Sequence, residues 1–159
     1  MTRAETPPDR SSGRIAAVAS SSTAASAGLP RLGRVVVAED DPDISAVVVL
    51  ALGRVGGLEV TACADGRAVL DLVPYLVPDL YLLDVMMPEM DGLETLRRLE
   101  LDPRTAAVPV IFMTARVRPT ELETYYRMGA AGVIAKPFDP LTLTHHLQRL
   151  YAESRHAEP

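Results

Sequence analysis

Val35-Val36-Val37-Ala38-Glu39-Asp40-Asp41-Pro42 is the stretch on which the fold turns. Its four apolar residues run without interruption, as in a strand buried on both faces, and such strands belong to parallel sheets. Three acids end the run. Pro42 then suits the first turn of a helix, where its missing N–H costs nothing. Ile44, Val47, Val48, Ala51, Leu52 and Val55 recur on one helical face, and Gly56-Gly57 stops the helix.

The same unit repeats to the end of the chain. A second strand is predicted over 58–62, with a helix over 67–73 ended by Pro74. A third strand, 80–83, ends at Asp84. The turn Met87-Pro88-Glu89-Met90-Asp91-Gly92 leads into a helix bearing Leu93, Leu96 and Leu99. A fourth strand, 108–113, ends at Thr114, and a helix over 119–128 is closed by Gly129. A fifth strand, 132–135, ends at Lys136-Pro137, before a last helix over 140–152 with Leu143, Leu147, Leu150 and Tyr151 on one face. Five strands alternating with five helices predict an α/β fold. Its doubly wound, five-stranded parallel sheet has helices on both faces and strand order 2-1-3-4-5.

Composition agrees. The chain has 159 residues, 48% hydrophobic and 23% charged, enough for one buried core and unlike a wholly disordered, collagen-like or disulfide-rich chain. No stretch nears the ~20 continuous apolar residues of a transmembrane helix, so no membrane association is expected. The single cysteine, Cys63, excludes an internal disulfide and a cysteine zinc cage, which suits a reducing cytoplasm. Just past the second strand, it reads as a small core residue and not a nucleophile.

Residues 1–32 are rich in Ser and Ala, without helical or strand period, and are expected to be a disordered extension. They make a poor secretion signal, because the apolar core at residues 15–19 falls short of the ~7–15 residues required. The domain is expected over 33–153, with 154–159 a short tail that leaves no room for an output module. The net charge is −5. Four arginines against two acids give residues 1–33 a balance of +2, which leaves −7 on the remainder. Such an acidic body repels nucleic-acid phosphates, so direct nucleic-acid binding is not expected. Of the sixteen basic residues only Lys136 is a lysine, which marks a position needing an ammonium.

In sheets of this kind the site lies at the carboxyl ends of the strands, near the reversal of strand order. Glu39, Asp40 and Asp41 stand after strand one, Asp84 after strand three, Thr114 after strand four and Lys136 after strand five. Each alone has a plain structural reading, such as Asp40 or Asp41 capping the helix that begins at Pro42. Their joint placement points to a site. Clustered carboxylates repel unless a cation intervenes. Hard oxygen ligands without His or Cys select Mg²⁺, with Mn²⁺ possible. An ammonium and a hydroxyl beside that cation suit phosphoryl transfer.

With these pieces assembled, residues 33–153 resemble a receiver domain of two-component response regulators, of the stand-alone, chemotaxis-regulator-like kind. The matching segments are Val36-Val37-Ala38-Glu39-Asp40-Asp41-Pro42, Leu82-Leu83-Asp84-Val85-Met86-Met87-Pro88-Glu89-Met90-Asp91-Gly92, Phe112-Met113-Thr114-Ala115 and Ala135-Lys136-Pro137-Phe138. The resemblance implies a flavodoxin-like fold in which Asp84 is the phospho-acceptor. It implies Mg²⁺ held by Asp40, Asp84 and the backbone carbonyl of Met86, with Glu39 assisting through water. Thr114 and Lys136 would contact the phosphoryl group, and the Lys136–Pro137 bond would be cis.

The resemblance further implies a sensor histidine kinase or phosphotransfer protein as donor, and a downstream protein met through the helix 4–strand 5–helix 5 face. On this reading the domain catalyses only its own phosphorylation and dephosphorylation. In the family, residues two after the acceptor and two after the threonine influence attack by water; here they are Met86 and Arg116. Many receivers also carry a rotating aromatic three residues before the lysine, where this chain has Val133.

The alternatives are a phosphorelay shuttle, a non-phosphorylated scaffold and a haloacid-dehalogenase-like phosphohydrolase. The last wants a second Asp where Met86 stands. No Walker loop or dinucleotide fingerprint is present. Tyr125-Tyr126 and His145-His146 are adjacent pairs that do not share a helical face, so packing roles are expected, with a tyrosine available to a partner surface.

Overall fold

The structure, a computed structural model, describes residues 30–157. Strands β1 (Arg34–Ala38), β2 (Glu59–Cys63), β3 (Leu80–Asp84), β4 (Val110–Thr114) and β5 (Gly132–Ala135) form one parallel sheet in the order β2-β1-β3-β4-β5. The helices are α1 (Pro42–Val49), α2 (Gly66–Leu72), α3 (Gly92–Leu101), α4 (Pro119–Arg127) and α5 (Leu143–His156). Class and strand order are as the sequence predicts. The order reverses between β1 and β3, which opens a crevice at their carboxyl ends.

Alternating strand side chains divide the core into two layers. Val35, Val37, Leu80, Leu82, Ile111 and Met113 pack with Val48 of α1 and with Leu143 and Leu147 of α5. Val36, Leu83 and Phe112 face the other way, toward Val69, Leu96, Leu99 and Tyr125 of α2, α3 and α4. Every residue of β3 and β4 is buried. That burial on both faces is why these strands read as unbroken apolar runs.

Several local features depart from the sequence reading. Beyond α1 the chain continues as a π-helical turn, Leu50–Val55. The Ala51 carbonyl there accepts from the Gly56 N–H at 3.0 Å and from the Thr144 hydroxyl of α5 at 3.1 Å. A Cβ on Gly56 would lie 2.3 Å from that hydroxyl, and Gly57 has φ 71°. The first glycine permits close approach and the second the left-handed turn. An apolar period reports which face is buried, and the choice of hydrogen-bond spacing lies outside it.

The last helix begins at Leu143, because residues 139–142 form a turn in which Leu141 N–H donates to Asp139 Oδ1 at 2.9 Å. It also runs to His156, so residues 154–156 are helical and not tail. The apolar stripe ends at Tyr151, yet Ser154 Oγ donates to the Tyr151 carbonyl at 2.7 Å and Arg149 pairs with Glu153 at 3.8 Å. Leu32, expected in the extension, is half-buried against the core. The expectation of disorder for 1–29 lies outside the described residues. No helix among the described residues is long and apolar enough to cross a membrane.

Candidate functional site

Sheet register assembles the site. Ala38 of β1 pairs with Leu83 of β3, so Glu39 and Asp84 each lie one step further on neighbouring strands. Asp84 pairs with Met113, and Thr114 follows; Thr114 pairs with Ala135, and Lys136 follows. Neighbouring strands are about 4.8 Å apart, so the four side chains meet at one end of the sheet.

Lys136 Nζ donates to Glu39 Oε2 at 2.5 Å and to Asp84 Oδ2 at 2.9 Å. Asp84 Oδ1 accepts from the Met86 N–H at 3.0 Å, and Glu39 Oε1 from the Asp41 N–H at 3.2 Å. Glu39 and Asp84 are buried, whereas Asp40 is exposed; carboxylate oxygens of all three lie within 4.8 Å of one another. The cluster therefore reaches solvent on Asp40's side. Burial pushes the Glu39 carboxyl up, against the lowering pull of Lys136. Burial alone would lower the Lys136 ammonium, but the hydrogen bonds it donates to Glu39 and Asp84 outweigh it and hold the ammonium above the ordinary lysine value.

Asp41 stands apart from the cluster. Its Oδ1 accepts from the Asp43 and Ile44 N–H groups at 2.9 and 3.2 Å, so it is the cap of α1, with Pro42 in the first turn. Residue type alone leaves the helix cap open between Asp40 and Asp41, while the family resemblance assigns Asp40 to the metal; the structure puts Asp40 in the cluster and Asp41 at the helix. Thr114 is buried, its Oγ1 accepts from the Arg116 N–H at 3.0 Å, and its carbonyl accepts from the Lys136 N–H at 2.9 Å. The Lys136–Pro137 peptide is cis. Met86 is 53% exposed, and the loop after it turns through Glu89 with φ 64°.

The adjacent aromatic and imidazole pairs split between core and surface. Tyr125 is buried and Tyr126 exposed; His145 is exposed and His146 half-buried, burial lowering the pKa of the latter. Cys63 ends β2 and is buried, which pushes its thiol up to about 11, with Asp65 adding to the rise. At about pH 8 on the order of one such thiol in a thousand is ionised. The folded protein should therefore react with iodoacetamide far more slowly than a free thiol, and as fast as one after unfolding in urea. Equal rates in the two states would show Cys63 to be accessible and ionised.

Fold and site together define a doubly wound α/β domain with an acidic crevice closed by one lysine. The chain belongs to the response regulator receiver domain family, whose model matches residues 35–148. The DNA-binding dual master transcriptional regulator RpaA of Synechocystis is 37% identical over 106 residues, 67% of this chain and 44% of that protein. The DNA-binding response regulator MtrA of Mycolicibacterium smegmatis is 34% identical over 110 residues, 69% of this chain and 46% of that protein. The chain thus spans about half the length of these curated relatives. Among solved structures, the chemotaxis response regulator CheY4 of Vibrio cholerae aligns with TM-score 0.70 and 30% identity, covering 76% of this chain and 99% of that one.

Proposed function

We propose that Asp84 accepts a phosphoryl group from the phosphohistidine of a sensor kinase or phosphotransfer protein, and that the altered surface then binds a downstream protein. The observation that carries this reading is Nζ of Lys136, the one lysine of the sequence, within 2.9 Å of Asp84 Oδ2 and 2.5 Å of Glu39 Oε2.

The donor set suits a divalent cation. Three carboxylates and one ammonium leave a formal charge of −2, and the oxygens are hard ligands without His or Cys nearby. Asp40, Asp84 and the Met86 carbonyl would hold Mg²⁺, with Glu39 acting through water and Mn²⁺ able to substitute. Bound there, the ion supplies neutralising charge to the phosphoryl oxygens.

In the transfer an Asp84 oxygen forms the P–O bond while the donor's P–N bond breaks, and the electron pair leaves with the imidazole nitrogen. Lys136 stabilises charge on the phosphoryl oxygens, and the Thr114 hydroxyl donates to another of them. The Met86 N–H holds the Asp84 carboxylate in orientation. A groove of about 460 Å³ beside Lys136, lined by Ile44, Val47, Pro137 and Phe138, gives the donor protein an apolar surface. Output leaves through the face of α4, β5 and α5.

Intact-mass measurement tests this reading. With acetyl phosphate and Mg²⁺ the chain should gain one phosphoryl group, and none when EDTA replaces the metal. Metal-independent labelling would remove the cation from the account, and no labelling would favour a scaffold role. Turnover of phosphate esters would favour a phosphohydrolase.

The phosphorylated state should decay slowly. The exposed Met86 side chain cannot position a water by a strong hydrogen bond, and Arg116 can shield the phosphoryl group by pairing with it. A Met86→Asn variant is expected to lose label about tenfold faster, worth about 1.4 kcal/mol in the barrier. Equal decay in the two proteins would refute the shielding account.

A further inference from the structure

Val133 occupies the position three residues before Lys136 where the family resemblance predicts a mobile aromatic. An aromatic ring does pack beside β4 in this protein, but α4 supplies it. Tyr125 is 4% exposed, and its ring meets Phe112 edge-on, centroids 5.6 Å apart at 66°. Its hydroxyl donates to the Arg116 carbonyl at 3.3 Å, while the Arg116 N–H donates to Thr114 Oγ1 at 3.0 Å. The two backbone groups of one loop residue therefore tie the Thr114 hydroxyl to the Tyr125 hydroxyl. Phe112 pairs in register with Val133, and Val133 packs in the same layer as Tyr125. Tyr126, one position along, is 51% exposed and turned away from this layer.

We propose that Tyr125 is the positioning residue through which the state of Asp84 reaches α4: its hydroxyl follows the Arg116 carbonyl, and its buried ring carries the displacement into the helix. The proposal rests on Asp84 being the phospho-acceptor. When Thr114 turns toward new negative charge at Asp84, the Arg116 N–H bound to its oxygen is drawn along. The Arg116 carbonyl lies across a single Cα, so it moves too. A buried tyrosine hydroxyl that loses its acceptor is left unsatisfied unless its helix follows. The ring cannot swing alone, because it is packed against Phe112 in a close-packed layer. The result is a shift of α4, with no side chain of β5 rotating. Val133, β-branched and stiff at χ1, suits that route.

The test is amide NMR of the full chain before and after addition of Mg²⁺ and beryllofluoride, in wild type and in Tyr125→Phe. In wild type, shifts are expected at 39–43 and 84–92, which report the acceptor, and at 115–127, which report the route. Tyr125→Phe keeps the ring and should keep the acceptor shifts, while those at 119–127 fall by about half or more. Tyr126→Phe should keep both sets. Thr114→Ala, which cuts the tie at its other end, should lose the 119–127 set. Full shifts at 119–127 in Tyr125→Phe would overturn the proposal and leave Asp84 as acceptor. Wild-type shifts confined to 39–43 and 84–92 would do the same. Absence of acceptor shifts in wild type would overturn both.

Discussion

Lys136→Met is expected to destabilise the metal-free protein by about 3–5 kcal/mol near neutral pH, because it strands buried carboxylates without their cation. The Glu39 side chain is only 1% exposed, and that of Asp84 is also buried. Burial pushes the Glu39 carboxyl up, and the Lys136 ammonium opposes the rise. Without the ammonium the carboxyl climbs further. A carboxyl raised on folding contributes stability that is fully present below its ordinary value of 4.5 and lost as pH rises through the raised value. The deficit of the variant should therefore be largest near pH 7.5 and narrow as pH falls toward 4.5. Mg²⁺ should offset part of it by binding the folded chain alone. Urea unfolding at about pH 7.5 and pH 5, with and without Mg²⁺, measures each term. Equal midpoints for variant and wild type at the higher pH would mean that Lys136 does not neutralise the cluster.

Gly92→Ala is expected to cost about 1–3 kcal/mol and to slow phosphorylation roughly a hundredfold. Gly92 opens α3, and its N–H donates to the Val85 carbonyl at 3.0 Å. A Cβ there would lie 2.4 Å from the Asp84 carbonyl oxygen and 3.0 Å from Val85 Cα. Both contacts are backbone and cannot swing aside. Either α3 or the peptide carrying the acceptor must move, and a shift of that peptide carries the Asp84 carboxylate away from Lys136 Nζ and the Met86 N–H, which orient it. Gly53→Ala is the control, since its Cβ would meet nothing nearer than the Leu58 carbonyl oxygen at 3.8 Å. Thermal unfolding and the rate of labelling by acetyl phosphate should separate the two substitutions. A Gly92→Ala protein that labels at the wild-type rate would show that the acceptor tolerates displacement.

The strand ends were legible because each apolar run stops at a residue unlike those before it: Glu39 after Ala38, Asp84 after Leu83, Thr114 after Met113, Lys136 after Ala135. Parallel pairing in register turns those four endings into one site, and the scarcity of lysine marks the ammonium in advance. What sequence did not reveal depends on contacts between distant elements. Asp40 and Asp41 are chemically alike, and only the backbone after β1 decides which one caps α1. Tyr125 and Tyr126 are identical in type, and burial of the first follows from Phe112 and the Arg116 carbonyl. The π-helical turn reflects the approach of Thr144 from α5 to Ala51. The extra turn of α5 continues past the apolar stripe on polar side-chain contacts, which a hydrophobic period does not register.

We propose that Asp84, and no other acid of the cluster, takes the phosphoryl group. Intact-mass spectrometry of wild type, Asp84→Asn and Asp40→Asn, each incubated with acetyl phosphate and Mg²⁺, tests it most directly. One phosphoryl group is expected on wild type, none on Asp84→Asn, and slower but measurable labelling of Asp40→Asn, in which the acceptor survives and the cation site is weakened. Labelling of Asp84→Asn at the wild-type rate would contradict it.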